Sequence, residues 1–200
     1  MRYGMVIDLK KCIGCHTCTI ACKAENGTGP GIFWSLVKDQ ESGRYPLVRR
    51  VFLPLPCMQC EDPGCVNVCP TGASYKREDG IVLVDQKKCV GCGYCVEGCP
   101  YGRRYLNKKR LGYYGPEETP NEQIAYSQHE TGVAEKCTFC LHLVEQGKEP
   151  ACVKVCPAKA RYFGDLEDSN SEVSQLIVLK RGFQLLKELG TSPSVFYLPE

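Results

Sequence analysis

Sixteen of the 200 residues are cysteine, and all sixteen fall into four runs of four. Cys12, Cys15, Cys18 and Cys22 form motif I; Cys57, Cys60, Cys65 and Cys69 form motif II. Cys89, Cys92, Cys95 and Cys99 form motif III; Cys137, Cys140, Cys152 and Cys156 form motif IV. In Cys12–Cys15–Cys18 and Cys89–Cys92–Cys95, two residues separate successive thiols, so one short loop can present three thiolates to a compact tetrahedral shell. The fourth cysteine of each run, on the segment leaving the loop, points away from the local shell. Three runs end in Cys-Pro: Cys69-Pro70, Cys99-Pro100 and Cys156-Pro157. This pattern suits a [4Fe–4S] cubane held by four thiolates, with motifs working in pairs that exchange their fourth ligands. Proline then redirects the chain, because it donates no backbone bond and disfavours helix in the residue before it. Gly14, Gly91 and Gly93 fit loops that bend tightly around a large ligand. Four complete sets predict four clusters, and four clusters in one small chain predict a path for electrons.

Other uses of cysteine fit less well. A disulfide framework belongs to short secreted chains. Here the first cysteine arrives at residue 12, after a strand-like Tyr3–Ile7, and no secretory leader is expected. Zinc takes pairs of Cys-x-x-Cys some distance apart, and motifs I and III lack that gap. Motifs II and IV depart from the simple spacing, with four residues between Cys60 and Cys65 and eleven between Cys140 and Cys152.

With every cysteine committed and 20 Gly and 13 Pro present, much of the chain is loop and the clusters supply much of the core. Metal binding is then folding free energy, and the iron-free chain is expected to be largely unfolded. The formal charge is +2, from 25 Lys and Arg against 23 Asp and Glu. Each ligated cluster adds about −2, taking the loaded protein to about −6. The basic residues therefore read as compensation for cluster charge, not as a nucleic-acid surface. No apolar run is long enough to cross a membrane.

The chain repeats itself. Gly4–Cys15 is echoed by Gly80–Cys92, and Pro63–Pro70 by Pro150–Pro157. The order I, II, I′, II′ predicts an α+β protein made of two ferredoxin-like modules, each carrying two [4Fe–4S] clusters in a duplicated βαβ-type unit. Short strands are expected at 4–8, 72–76, 81–84 and 160–163, with one-turn helices after the third ligands. Insertions at 26–56 and 108–135 interrupt the repeat, the second read as an ordered surface loop. A C-terminal extension, 166–200, carries an expected helix at about 172–188 weakened by Gly182. Its apolar Val195–Leu198 is expected to dock on a partner, since it would otherwise be exposed.

No phosphate-cradling loop and no hydrolytic triad is present, and the carboxylates form no catalytic pair. His16 and His142 lie beside ligands and could hydrogen-bond a cluster sulfur. His129 reads as a surface residue. The chain is therefore expected to carry electrons and to have no catalytic site of its own.

Specific motifs then join the cysteines. Ala21-Cys-Lys23, the Cys-Pro-Thr-Gly-Ala-Ser-Tyr of 69–75, the Cys-Pro-Tyr-Gly of 99–102 and the Lys-Cys-Thr-Phe-Cys of 136–140 are four of them. Pro-Ala-Cys-Val at 150–153 and Phe-Gly-Asp-Leu-Glu-Asp at 163–168 complete the set. With them the chain resembles, nearly end to end, the iron–sulfur subunits of the dimethyl sulfoxide reductase superfamily. It is most similar to the polysulfide, thiosulfate and respiratory arsenate reductase branch.

The resemblance implies an electron-transfer subunit of an anaerobic respiratory complex. It would sit between a catalytic subunit carrying a molybdenum (or tungsten) bis-pterin cofactor and a quinone-reactive membrane anchor, with no nucleic-acid partner. It also implies the pairing, because in the family the outer motifs pair and the inner motifs pair. Cluster 1 would take Cys12, Cys15, Cys18 and Cys156, and cluster 2 Cys22, Cys137, Cys140 and Cys152. Cluster 3 would take Cys57, Cys60, Cys65 and Cys99, and cluster 4 Cys69, Cys89, Cys92 and Cys95. The tandem repeat alone would suggest motif I with motif II. Residues 1–25 plus 136–165 would form the first module and 57–107 the second. Cluster 1 would lie nearest the molybdenum subunit and cluster 4 nearest the membrane. The expected location is peripheral to the cytoplasmic membrane. It is extracytoplasmic if a twin-arginine partner carries the folded subunit across, and on the cytoplasmic side otherwise. The competing class is a free polyferredoxin or a feeder subunit of a hydrogenase or formate dehydrogenase.

Overall fold

The structure is a computed structural model that describes residues 1–115 and 117–199, leaving Pro116 of the second insertion and Glu200 outside. In chain order, β1 (Tyr3–Asp8) leads to α1 (Thr17–Asn26) and a hairpin of β2 (Ser35–Arg44) and β3 (Leu47–Pro56). There follow α2 (Gly64–Asn67), β4 (Ser74–Lys76), β5 (Val82–Val84), α3 (Tyr94–Glu97) and β6 (Tyr105–Leu106). The second insertion contributes α4 (Pro120–Tyr126) and β7 (Ala134–Glu135), after which come α5 (Leu141–Val144) and α6 (Ala151–Lys154). The chain closes with β8 (Arg161–Asp165), α7 (Glu172–Leu179) and β9 (Val195–Leu198).

The repeat is visible in how the short helices start. Pro63 and Pro150 head α2 and α6, and each carbonyl accepts two amides of the following turn. His16 and Gly93 head α1 and α3, both with left-handed backbone (φ 59° and 80°). The helix of motif I packs on that of motif IV, and the helix of motif II on that of motif III. β1 pairs with β8 and β4 with β5, both antiparallel. This differs from the expected βαβ arrangement, whose strands would be parallel. Only five residues separate Lys76 from Val82, enough for a turn but not for the dozen or more of a parallel crossover.

The three-stranded sheet β8–β1–β9 divides two apolar layers. Successive side chains of a strand face opposite ways. On one side Met5, Ile7, Val195 and Tyr197 join a core that includes the sulfurs of Cys18, Cys22, Cys57, Cys137 and Cys152. On the other, Val6 and Leu198 pack against Val173 of α7. The C-terminal Val195–Leu198 is therefore not the exposed apolar end from which docking was expected. It runs parallel to β1 with Val195, Tyr197 and Leu198 buried in its own chain. The exposed apolar side chains of the tail lie earlier, at Val178, Leu179, Phe183, Leu186 and Leu189.

The helix expected over 172–188 stops at Leu179. Gly182 turns the chain so closely that a Cβ would stand 3.2 Å from Ile177 Cα, and only a 3-10 turn at Lys187–Leu189 follows. The insertion 26–56 is largely the β2/β3 hairpin, ten residue pairs long, which carries Val37 and Leu55 into the core.

Candidate iron–sulfur centres

The ligand loops of motifs I and III share one local device. Gly14 has φ +67°, and a Cβ there would fall 2.3 Å from the Phe52 ring; Gly91 has φ +68°, and a Cβ would fall 2.1 Å from Gly132 O. Glycine alone satisfies both demands.

The structure brings the cysteines together in sets. Cys12, Cys15, Cys18 and Cys156 line one cavity, walled by Ile13, Val37, Pro54 and Arg161 among others. Around Cys22 stand Cys137, Cys152 and Cys140; burial first, then these three sulfurs, push its thiol far above the usual range. Cys60 is pushed up to about 12 by burial and then by Cys57, with Cys65 and Cys99 adding to it. In the expected fourth set, Cys69 and Cys95 are connected indirectly. The amide of Ser74 donates to Cys69 Sγ (3.3 Å), Ser74 Oγ accepts from Arg104 (2.7 Å), and Cys95 lies beside Arg104. Although burial opposes it, the Ser74 amide and Thr71 bring the Cys69 thiol down to about 7. Among the described residues, no three His, Cys, Asp or Glu side chains converge as a single metal ion would require.

Each fourth cysteine receives a hydrogen bond from a residue four or five positions on. Asn26 Nδ2 reaches Cys22 Sγ (3.6 Å), and the Arg103 and Ala160 amides reach Cys99 (3.4 Å) and Cys156 (3.3 Å). Together with Ser74 on Cys69, this gives all four a donor suited to a charged sulfur. Further donors come from Phe139 N to Cys137 and Ala134 N to Cys89, both 3.4 Å.

Buried cations complete the surroundings. Arg161, Arg104 and Lys136 are 4 %, 3 % and 2 % exposed. Burying an ion costs several kcal/mol unless it is paired, yet among the described residues none of the three meets a carboxylate. Arg161 instead donates to Cys152 Sγ (3.6 Å), Cys18 Sγ (3.4 Å) and Ser35 Oγ (3.2 Å). Burial lowers its affinity for the proton, but Cys152 and Cys18 outweigh this and raise it. Arg104 Nε and Nη2 are buried without a hydrogen-bond partner among the described residues, with Cys65, Cys95 and Cys57 around the group. Thiolate sulfur is the anion these cations have at hand, so the residues fit a sulfur-bound, negatively charged group.

Arg161, Arg104, Lys136, Ser74 and Asn26 were not singled out from the sequence. A signal existed for Arg161, a charged residue inside the apolar stretch Ala160–Phe163 and four residues past Pro157. The histidines also sort differently. His16 is exposed and serves as the left-handed residue that starts α1. His142 is half-exposed and bonds Glu25 (2.8 Å). His129, expected at the surface, is largely covered, with its side chain 10% exposed: it ion-pairs with Glu135 (2.8 Å), meets Asn26 O (2.7 Å) and packs edge-on against Trp34. The insertion folds back over motif I, which a local reading of polarity cannot reveal.

Comparison with known proteins accords with this chemistry. Residues 48–113 and 118–166 match the 4Fe-4S dicluster domain family, and residues 3–24 a 4Fe-4S binding domain. A selenate reductase subunit from Mesobacillus selenatarsenatis is 46% identical over 99% of this chain and 72% of its own length. The arsenate respiratory reductase iron–sulfur subunit of Shewanella sp. is 42% identical over 99% of this chain and 96% of its own. A tetrathionate reductase subunit from Salmonella typhimurium is 44% identical over 98% and 72%. The chain belongs to the family of iron–sulfur subunits of molybdoenzyme reductases, non-catalytic electron-transfer subunits. Its cofactors are [4Fe–4S] clusters, and its sixteen cysteines match the ligand count of four.

Proposed function

We propose that this chain relays electrons through four [4Fe–4S] clusters between a catalytic subunit with a molybdenum bis-pterin cofactor and a quinone-reactive membrane anchor. The proposed ligand sets are Cys12, Cys15, Cys18 and Cys156; Cys22, Cys137, Cys140 and Cys152; Cys57, Cys60, Cys65 and Cys99; and Cys69, Cys89, Cys92 and Cys95. The two modules would be 1–25 with 136–165, and 57–107. The packing of α1 on α6 and α2 on α3, and the β1/β8 and β4/β5 pairs, support that division.

The observation that carries the reading is the continuity of thiol neighbourhoods. Cys18 neighbours Cys152, Cys57 neighbours Cys137, and Arg104 stands among Cys57, Cys65 and Cys95. These neighbourhoods support an order in which the first proposed set adjoins the second, the second the third and the third the fourth. Bound at these sets, the clusters supply one-electron carriers. The chain itself fixes the thiols, donates hydrogen bonds to them and places cations and apolar side chains that keep bulk water away.

No helix among the described residues is long and apolar enough to cross a membrane, so attachment to one would fall to another subunit. We place the subunit at the cytoplasmic membrane, on the extracytoplasmic face if its catalytic partner carries a twin-arginine signal. Anaerobic purification from membranes tests this. Co-purification with a molybdopterin subunit and a quinone-binding membrane subunit is expected. A monomer with neither, as a free polyferredoxin would be, contradicts it.

A further inference from the structure

Three buried cations stand where successive thiol sets meet. Arg161 touches Cys18 of the first set and Cys152 of the second. Lys136 Nζ is held by Cys137 O (2.7 Å) in motif IV, Gln59 Oε1 (3.3 Å) in motif II and the carbonyl of Val82. Gln59, between Cys57 and Cys60 and itself fully buried, also donates to Cys137 O (2.8 Å), so Lys136 lies where the second and third sets adjoin. Arg104, five residues after Cys99 of the third set, bonds Ser74, whose amide caps Cys69 of the fourth.

The repeat sharpens this. Ala73-Ser74-Tyr75 and Ala160-Arg161-Tyr162 follow Cys-Pro at the same distance. Ser74 follows Cys69 at the distance at which Arg161 follows Cys156, and Arg104, at that same distance after Cys99, lays Nη1 on Ser74 Oγ. The same Cys-Pro-x-x-x-Arg-Tyr spacing, at Cys99–Tyr105 and Cys156–Tyr162, therefore delivers one buried guanidinium to each module. Space-filling does not require a charge there, and a buried charge is costly.

We propose that Arg161, Lys136 and Arg104 are junction cations, each lying between two neighbouring cluster sites and raising the reduction potential of both. This rests on the four-cluster reading above. Uptake of one electron makes a ligated cluster more negative by one charge, with no proton required. A fixed cation in a poorly screening interior favours that reduced form. From a junction it acts on both neighbours and keeps them within reach of each other.

The test is an EPR-monitored redox titration, with dithionite as reductant, of the full chain purified anaerobically in its complex. Arg161→Gln, Lys136→Gln and Arg104→Gln are compared with the charge-keeping Arg161→Lys and Lys136→Arg. Each Gln variant is expected to lower two of the four midpoint potentials and leave two unchanged. The Arg161 and Lys136 pairs should share one cluster, and the Lys136 and Arg104 pairs another. Charge-keeping variants should hold wild-type potentials. Full iron with unmoved potentials, a uniform shift of all four, or equal shifts in the charge-keeping variants would overturn the proposal. If a Gln variant loses clusters, Arg161→Lys decides: wild-type potentials support the proposal, and loss there too refutes it. Wild-type iron well below about 16 atoms per chain would instead sink the four-cluster reading itself.

Discussion

At the residue scale, the site depends on left-handed backbone and on donors aimed at sulfur. Gly14→Ala forces a left-handed alanine, at about 1–2 kcal/mol, and drives its Cβ into Phe52. Reduced iron content and a lower melting temperature are expected, and Gly14→Ala with Phe52→Leu should recover only part of the loss because the backbone penalty stays. His16→Gly runs the other way. The histidine already sits at φ 59° with its ring exposed. Iron content and all four midpoint potentials should stay at wild-type values, whereas a moved potential would assign His16 to a cluster sulfur. The thiols were legible in the sequence because their spacing is local. Their donors were not, since most are backbone amides that reach sulfur only after the Cys-Pro turn has formed. Arg161 needed the strand register, Ile7 opposite Arg161, to be placed inside.

At the element scale, the insertions and the tail act as walls. β9 seals the β1 edge, and Tyr197 is fully buried with its hydroxyl on Pro54 O (2.7 Å) of the hairpin. Tyr197→Ala should cost about 3–5 kcal/mol, read as a lower melting temperature of the loaded chain. The second insertion is latched by His129. Burial lowers the pKa of its ring, but the Glu135 carboxylate and the Asn26 carbonyl outweigh burial and raise it above 6.5. A raised folded-state value means the latch contributes fully below about pH 6.5 and is lost as pH rises through the raised value. Melting temperature should therefore fall as pH rises above about 6.5 more steeply in wild type than in His129→Gln; identical slopes would contradict the latch. Strands beside the cysteines were readable from the repeat. The hairpin and the buried insertion were not, because their apolar partners lie far away in sequence.

At the scale of the whole molecule, the packing crosses the order of the repeat. Motif I meets motif IV and motif II meets motif III, although the sequence runs I, II, I′, II′. Tandem similarity reports duplication but not which copies touch, and the resemblance to the reductase subunits supplied that pairing. The proposed wiring makes the ends of the line separable. Cys95→Ser removes a ligand of the set we place nearest the membrane. It should abolish quinol-linked turnover while leaving most activity with artificial dyes that reach the catalytic subunit directly. Equal loss of both would contradict the order. The central claim is that every cysteine ligates a cubane, and an iron and acid-labile sulfide assay on the anaerobically purified chain tests it most directly. We expect about 16 iron and about 16 sulfide per chain; about 12 of each, or zinc without sulfide, would contradict it.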